Sequence, residues 1–429
     1  MPRPSLPLCF VAAALATLSC RDVVEVLDER PAASAAGASA GEGAHGPGGA
    51  TATDGGARSD AGESSGPPPQ PGLGISLSAG QTHACVAKAG LVYCWGDNRD
   101  GQLGAGDTSV HTAPVRARGA ANVLQVSVGS RHSCWLDADG DVRCAGSNAQ
   151  GQLAQAADVP ALATAGVVPL PGPAKQLDVS YQHGCAILRS GELYCWGENV
   201  ETQLGQGDAP DENQRAPVRV TSFSDFVEVR CGQGHTLALR ESGDVLGWGR
   251  NSAGQIGLGD SSPVRVREPT PIAAAAGANS LDAGQDSACV LTAGGELLCW
   301  GDAIDQHLGN GVEGPVLTPT LVSGLTPLSR VSLDTFHTCG LDAAGRAYCW
   351  GRAIEGQLGL GDNRRLQAEP IEVPAPGEGG AWKALSVGRF FTCGVTLDDR
   401  LWCSGDNSDR ELGTADTERR NRFTEVTLP

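Results

Sequence analysis

Aromatic side chains are scarce in this chain of 429 residues: Phe, Trp and Tyr together make up 4%, and there is one Met. A core built mainly from large rings is therefore excluded, and rigidity has to come from elsewhere. Cationic residues are also short, with 31 Lys and Arg against 49 Asp and Glu, a formal charge of −18 and no basic run of five or more. Such a surface repels phosphate backbones and releases no counterions on meeting them, which argues against nucleic-acid binding. Beyond the N-terminus no apolar run approaches the eighteen residues that a membrane-spanning helix needs. Glycine, by contrast, is abundant at 60 residues. Each Gly costs a helix about 1 kcal/mol relative to Ala, and no sustained 3.6-residue apolar period runs through the glycine-rich part. Helical classes drop out, leaving short strands joined by tight turns.

What is present is one cassette written seven times. Its anchor is Trp-Gly or an equivalent, with the glycine at Gly96, Gly146, Gly197, Gly249, Gly301, Gly351 and Gly405, spaced 50, 51, 52, 52, 50 and 54 residues apart. A period near fifty with β-type segments marks units that bury a core only by stacking on their neighbours. An opening strand such as Leu124–Gly129 alternates apolar and polar residues, the pattern of a half-buried strand. A second segment such as His132–Leu136 follows, then a turn with Gly90, Gly140, Gly191, Gly243, Gly295 or Gly345, or with Asp398-Asp399-Arg400 in the seventh copy. The third strand ends in Trp-Gly. A turn series such as GDNRDGQLGAGD (96–107) leads to an edge strand carrying Pro, as at Pro114-Val115 and Pro370–Val373. Four short strands per unit describe a propeller blade. The expected fold is all-β, a seven-bladed β-propeller of four-stranded blades spanning 73–429, and a strand near each end suits a ring closed by pairing of the two termini.

These motifs resemble those of the regulator of chromosome condensation family, whose seven-bladed propellers repeat Gly-x-x-His-Thr-x-x-Leu, Trp-Gly-x-Asn and Gly-Gln-Leu-Gly-x-Gly. The resemblance covers all seven repeats. Its histidines match His83, His132, His183, His235 and His337, while Ser287 and Phe391 depart in repeats five and seven. Five occurrences at one blade position point to a buried imidazole bonded to a neighbouring carbonyl rather than to catalysis or metal binding. Nuclear members exchange guanine nucleotide on a small GTPase and bind chromatin; the acidic charge and the absence of a large insertion within a blade disfavour that role here. A better analogue is a secreted bacterial propeller that inhibits beta-lactamases through its ring face.

Twelve of the fifteen Cys recur as pairs nine or ten residues apart: Cys85 with Cys94, Cys134 with Cys144, Cys185 with Cys195, Cys289 with Cys299, Cys339 with Cys349 and Cys393 with Cys403. Each pair flanks a hairpin turn, where opposed residues approach disulfide geometry. The fourth repeat lacks both partners, with Leu237 and Gly247 in the slots, as expected if the slots work jointly. Zinc would need four converging ligands, and no CxxC or finger-like His spacing is present. Six disulfides are expected, and Cys231 is left as a small buried side chain. No cofactor or metal is expected. Asp137–Asp141 starts like a calcium loop, but Asn148 stands where the bidentate Glu is needed.

The first twenty residues, MPRPSLPLCFVAAALATLSC, carry Arg3 and an apolar Leu6–Leu18 stretch, the form of a signal peptide. Leu18-Ser19-Cys20 resembles a bacterial lipobox, which implies lipidation of Cys20. Residues 21–72 are rich in Ala, Gly, Ser and Pro and read as a disordered linker; forty such residues reach roughly 35 Å. The expected protein is exported to the cell envelope, lipid-anchored and monomeric. An enzyme is not expected: the Ser-x-Asp-x-Gly-x-Thr-Trp hairpin of sialidases, the glycan-active alternative, is absent, as Ser190-Gly191-Glu192-Leu193 shows. Function is then protein binding, with inhibition of an extracellular enzyme through the ring face as one form of it. Loops that vary between repeats gather on one face and bind. The longest, 154–176, makes Val159, Leu162, Val167, Val168 and Leu170 the candidate partner-binding residues.

Overall fold

A computed structural model describes residues 23–25, 74–377 and 380–429. The expected signal peptide, Cys20 and nearly all of the expected linker 21–72 lie outside the described residues. The exception in the linker is Val23–Glu25, a strand on the inner edge of the first blade, paired with Ser76–Ala79.

Seven antiparallel sheets, each with four strands contiguous in sequence, form the blades, the first gaining Val23–Glu25 as a fifth strand, so the all-β seven-bladed propeller is observed. In blade 2 the order from inside outward is Val123–Val128, His132–Asp137, Val142–Ser147 and Ala161–Val167. The turn between the second and third strands places Gly90, Gly140, Gly191, Gly243, Gly295 and Gly345 at φ between 77° and 95°, and Asp399 at 61° in blade 7. Only Gly adopts that region without strain, and Asp tolerates it next best.

Neighbouring blades are tied at three radii. Near the axis, the inner strands alternate as expected, yet their polar residues are buried, not solvated. Each reaches across to cap a backbone N–H of the next inner strand. Ser78 Oγ accepts from Val128 N at 3.0 Å, Asp178 Oδ2 from Cys231 N at 2.7 Å, Asp282 Oδ2 from Leu333 N at 2.8 Å, and Ser386 Oγ from Ala79 N at 2.9 Å. A free strand edge is thereby satisfied by side chains instead of water.

At middle radius lies the histidine layer. The ring needs the glycine three residues before it: a Cβ on Gly129 would sit 2.3 Å from His132 Cε1. Three rings bond hydroxyls of the next blade, and backbone groups of the next blade, at His132 and Ser287, also meet His83 and His235. His83 Nε2 bonds Ser133 Oγ at 2.9 Å, His183 Nε2 bonds Thr236 Oγ1 at 3.0 Å, and His337 Nε2 bonds Thr392 Oγ1 at 2.7 Å. Burial pushes His83 down to about 4 and His235 and His337 down to about 3, so these rings are neutral at neutral pH.

Further out, each Trp tucks under the Gly-Gln-Leu-Gly turn of the preceding blade. Trp196, Trp248 and Trp300 donate Nε1–H to the carbonyls of Gln152, Gln203 and Gln255 at 2.8–3.0 Å. Blades 2 and 7 have Ala145 and Ser404 in the Trp slot. Trp135 of the second strand and Phe423 of the outer strand fill the same space, against Gly104 and Gly359. The scarcity of aromatics is met by placing six of the eight Trp at a seam.

Closure differs from the expected pairing of terminal strands. Ser76–Ala79 and Arg420–Val426 each pair within their own blade, because every blade already has its four strands. The last seam is sealed like the others, with Trp95 Nε1–H donating to the Glu411 carbonyl at 2.7 Å.

The six cysteine pairs face each other across the second and third strands with Cα atoms 4.1 Å apart and sulfurs 2.00–2.14 Å apart. In blade 4, Leu237 opposes Gly247 at that register. Leu237, Ile256 and Ile272 occupy the space a Cβ on Gly247 would need, all within 3.1 Å of it. Packed aliphatic groups replace the sulfur pair there.

Candidate partner-binding face

Strand register decides which loops share a face. The second strand begins where the third ends, as in His337 opposite Gly351. Every turn from first to second strand and every loop from third to outer strand therefore lies at the same end of its blade. Collected around the ring, these turns form one face. Exposed apolar tips stand on it at Val200 and Ile304, both 47% exposed.

The expected binding segment is not part of a long loop. Ala161–Val167 is the outer strand of blade 2, paired with Val142–Ser147. Val168 is buried in the core, Leu162 and Leu170 pack against that core, Val159 is half-buried, and only Val167 is exposed. The hydrophobicity of Leu162, Val168 and Leu170 serves the blade. The apparent extra length of 154–176 holds this outer strand, which begins directly after Pro160.

The chemically distinctive part of the face is at blades 6 and 7. Phe336 and Phe390, from corresponding turns, stack with centroids 5.0 Å apart and planes 10° from parallel. Two guanidinium groups flank the pair. Arg352 lies 5.2 Å from the Phe336 ring and Arg389 lies 4.7 Å from the Phe390 ring. Phe336 is buried, while Phe390 and Arg389 are half-buried. Arg352 is held by Glu355 at 2.8 Å and Asp305 at 3.3 Å. Burial alone would raise the Glu355 carboxyl, but hydrogen bonds from Arg352 and Gln357 outweigh it and hold the group below its ordinary range. The result is a rigid aromatic platform with cation–π edges. Sequence reading missed it because the residues come from two repeats; the signal was the substitution of aromatic residues into turns that elsewhere carry Gln81-Thr82 or Ser130-Arg131.

Two other titratable clusters have structural duties. Asp178, Glu228 and Asp282 gather around Arg230 beside the channel, with Arg230 2.7 Å from Glu228 and 3.6 Å from Asp282. All three carboxylates accept backbone N–H groups of the next inner strand. Burial raises the Glu228 carboxyl, Arg230 opposes it, and Asp282 and Asp178 add to the rise. Separately, donor atoms of His183, Cys185 and Cys231 lie within 4.8 Å of one another. The Cys185 sulfur is bonded to that of Cys195, so the arrangement falls short of the four ligands a structural zinc takes. Cys231 is buried, as expected, and its thiol faces the Asp178 carbonyl at 3.6 Å.

Comparison with known proteins matches the same architecture. The RCC1-like domain profile covers residues 39–333, and profiles of the regulator of chromosome condensation (RCC1) repeat cover 344–395 and 382–410. The chain belongs to the RCC1-like family. The ultraviolet-B receptor UVR8 of Arabidopsis thaliana is 28% identical over 258 residues, 58% of each protein. The E3 ubiquitin-protein ligase HERC2 of Homo sapiens is 27% identical over 276 residues, 61% of this chain and 6% of that protein. The chain thus spans from a few per cent to just over half of these relatives. Among solved structures, yeast RCC1 (Prp20) bound to Kap60 superposes with a TM-score of 0.71 at 20% identity, over 78% of this chain and 83% of that one. Human WBSCR16 gives 0.71 at 21%, over 79% and 95%. These two likenesses establish the RCC1-like fold.

Proposed function

We propose that this RCC1-like propeller is a protein-binding scaffold, exported and anchored by lipid on Cys20, that takes a protein partner on the turn face of blades 6 and 7. The Phe336–Phe390 platform with Arg352 and Arg389 carries the reading: aromatic rings and Arg in a preorganised patch are the residues that dominate protein interfaces. The related and similar proteins include a receptor and a chain solved in complex with a protein. Among the described residues no helix is long and apolar enough to cross a membrane, and the many disulfides suit a compartment outside the cytoplasm. Inhibition of an extracellular enzyme through this face is one form the binding can take.

The test is affinity capture from the native envelope with the full chain as bait, wild type against Phe390→Ala with Arg389→Ala. Loss of a captured protein from the variant, with its thermal transition unchanged, is expected. Equal capture by both would remove the platform as the binding site. For the anchor, labelled palmitate should enter the wild-type chain and not a Cys20→Ala variant; equal label in both refutes lipidation at Cys20.

A further inference from the structure

We infer that the rim of the same face carries a second, chemically distinct subsite: a basic groove between blades 6 and 7 that binds an acidic peptide segment of the partner. The inference rests on the protein-binding reading and adds the chemistry of what is bound.

The groove forms where the outer strand Arg420–Val426 of blade 7 passes the turn loop of blade 6. Gly361 N donates to Asn421 O at 2.6 Å. Gly356, at φ 84°, allows the approach, since a Cβ there would lie 2.6 Å from Asn421 Cα. The concavity holds about 670 Å³. It adjoins the aromatic platform, because Glu355, the partner of Arg352, lies in its wall.

Charge accounting inside it is uneven. Its two carboxylates are already taken from outside: Glu355 by Arg352, and Asp362 by Arg364 at 2.6 Å. Arg420 is engaged by Asp416 at 2.7 Å and by Glu418 at 3.3 Å. Arg365, Arg419 and Arg422 are exposed, and among the described residues no carboxylate lies within 4.0 Å of them. The Arg419 guanidinium meets only the Ile354 carbonyl, at 3.3 Å. Three uncompensated guanidinium groups therefore face one groove on a chain of net charge −18. Planar guanidinium forks match carboxylates in paired hydrogen bonds, and Asn363 and Asn421 on the wall supply amides for peptide backbone. Screening confines the patch's field to about 8 Å at physiological salt. A short flexible acidic segment can lie within that range, whereas a long stiff polyanion would also meet the acidic surface beyond it.

The probe is a fluorescein-labelled octapeptide of alternating Glu and Ser, titrated with the full chain by anisotropy at 50 mM and 300 mM NaCl. Binding should be saturable, weaken at least tenfold at the higher salt, and weaken at least tenfold in an Arg365→Gln, Arg419→Gln, Arg422→Gln variant. Phe390→Ala should leave it unchanged, which separates failure of the groove from failure of the platform. If the triple variant loses its thermal transition, Arg419→Glu with Arg422→Glu is used instead, and should bind a Lys-Ser octapeptide in place of the acidic one. Unchanged affinity in the substituted groove overturns the inference. So does competition by a heparin tetrasaccharide or a twelve-nucleotide DNA strand at concentrations equal to the peptide's own.

Discussion

Glu411 stands where five other blades have Gln and blade 5 has His307. In blade 1, Gln102 Oε1 accepts from Asp100 N at 2.9 Å while its Nε2 donates to Asp97 at 3.0 Å. Glu411 reproduces the first bond, with Asp409 N at 2.9 Å, but it has no N–H to offer Asp406, the counterpart of Asp97. It is 3% exposed, and burial first, then the nearby Asp406 and Asp409 charges, pushes its carboxyl from 4.5 up to about 8. Because the folded value lies above the unfolded one, its stabilising state, the protonated acid, is fully present below pH 4.5 and is lost as pH rises toward 8. At roughly 1.4 kcal/mol per pH unit, ionisation costs the fold about 3 kcal/mol by pH 7. The residue also sits at the closing seam, where its carbonyl holds Trp95. Glu411→Gln should therefore stabilise the protein increasingly with pH. Calorimetry should give no gain at pH 4.5 and a rise in Tm of about 5 °C at pH 8, given ~2–4 °C per kcal/mol for mid-sized domains and less for larger ones. An equal gain at both pH values, or a loss at pH 8, would refute the reasoning.

Two further outcomes follow from the packing. In the Glu411→Gln background the buried histidines dominate the acid limb. Their folded values, about 4 for His83 and about 3 for His235 and His337, lie below 6.5, so the stability they confer is whole above pH 6.5 and declines as pH falls toward 3–4. The urea midpoint should drop between pH 6.5 and 4.5, and a flat profile would contradict their burial as neutral rings. Leu237→Ala should cost about 2–5 kcal/mol in chemical unfolding, because Leu237 fills the sulfur slot of blade 4. That loss should be the same with and without reductant; a reductant-dependent loss would contradict the aliphatic substitution.

How much of this was legible in the chain can be judged residue by residue. The blades were, because the Trp-Gly anchor and the turn glycines repeat and each has one local cause. The cysteine partners were also legible, since nine or ten residues across a turn of known type fixes which positions oppose. Seams were not. Ser78, Asp178 and Asp282 carry a period of two that signals solvent on one side, yet in a radial stack that side meets another blade. Nothing near Ala145 or Ser404 reveals that Trp135 and Phe423 fill the emptied slots, since each lies on another strand. The segment around Val167 read as a loop because its outer strand, Ala161–Val167, is made mostly of small residues and lacks a clear apolar–polar alternation. The basic groove escaped for a further reason: Arg365 and Arg422 are distant in sequence and meet only when successive blades are stacked.

Six of the seven blades are individually stapled by a disulfide, and this supports the proposed maturation outside a reducing compartment. In the chain-entropy account each short loop contributes roughly 2.7 kcal/mol. Peptide mapping of the natively produced protein, alkylated and digested without reductant, tests it most directly. The expected result is six linkages, each joining the two cysteines of one blade, with Cys231 alkylated only after denaturation. Free thiols at those twelve positions, or linkages joining one blade to another, would contradict it.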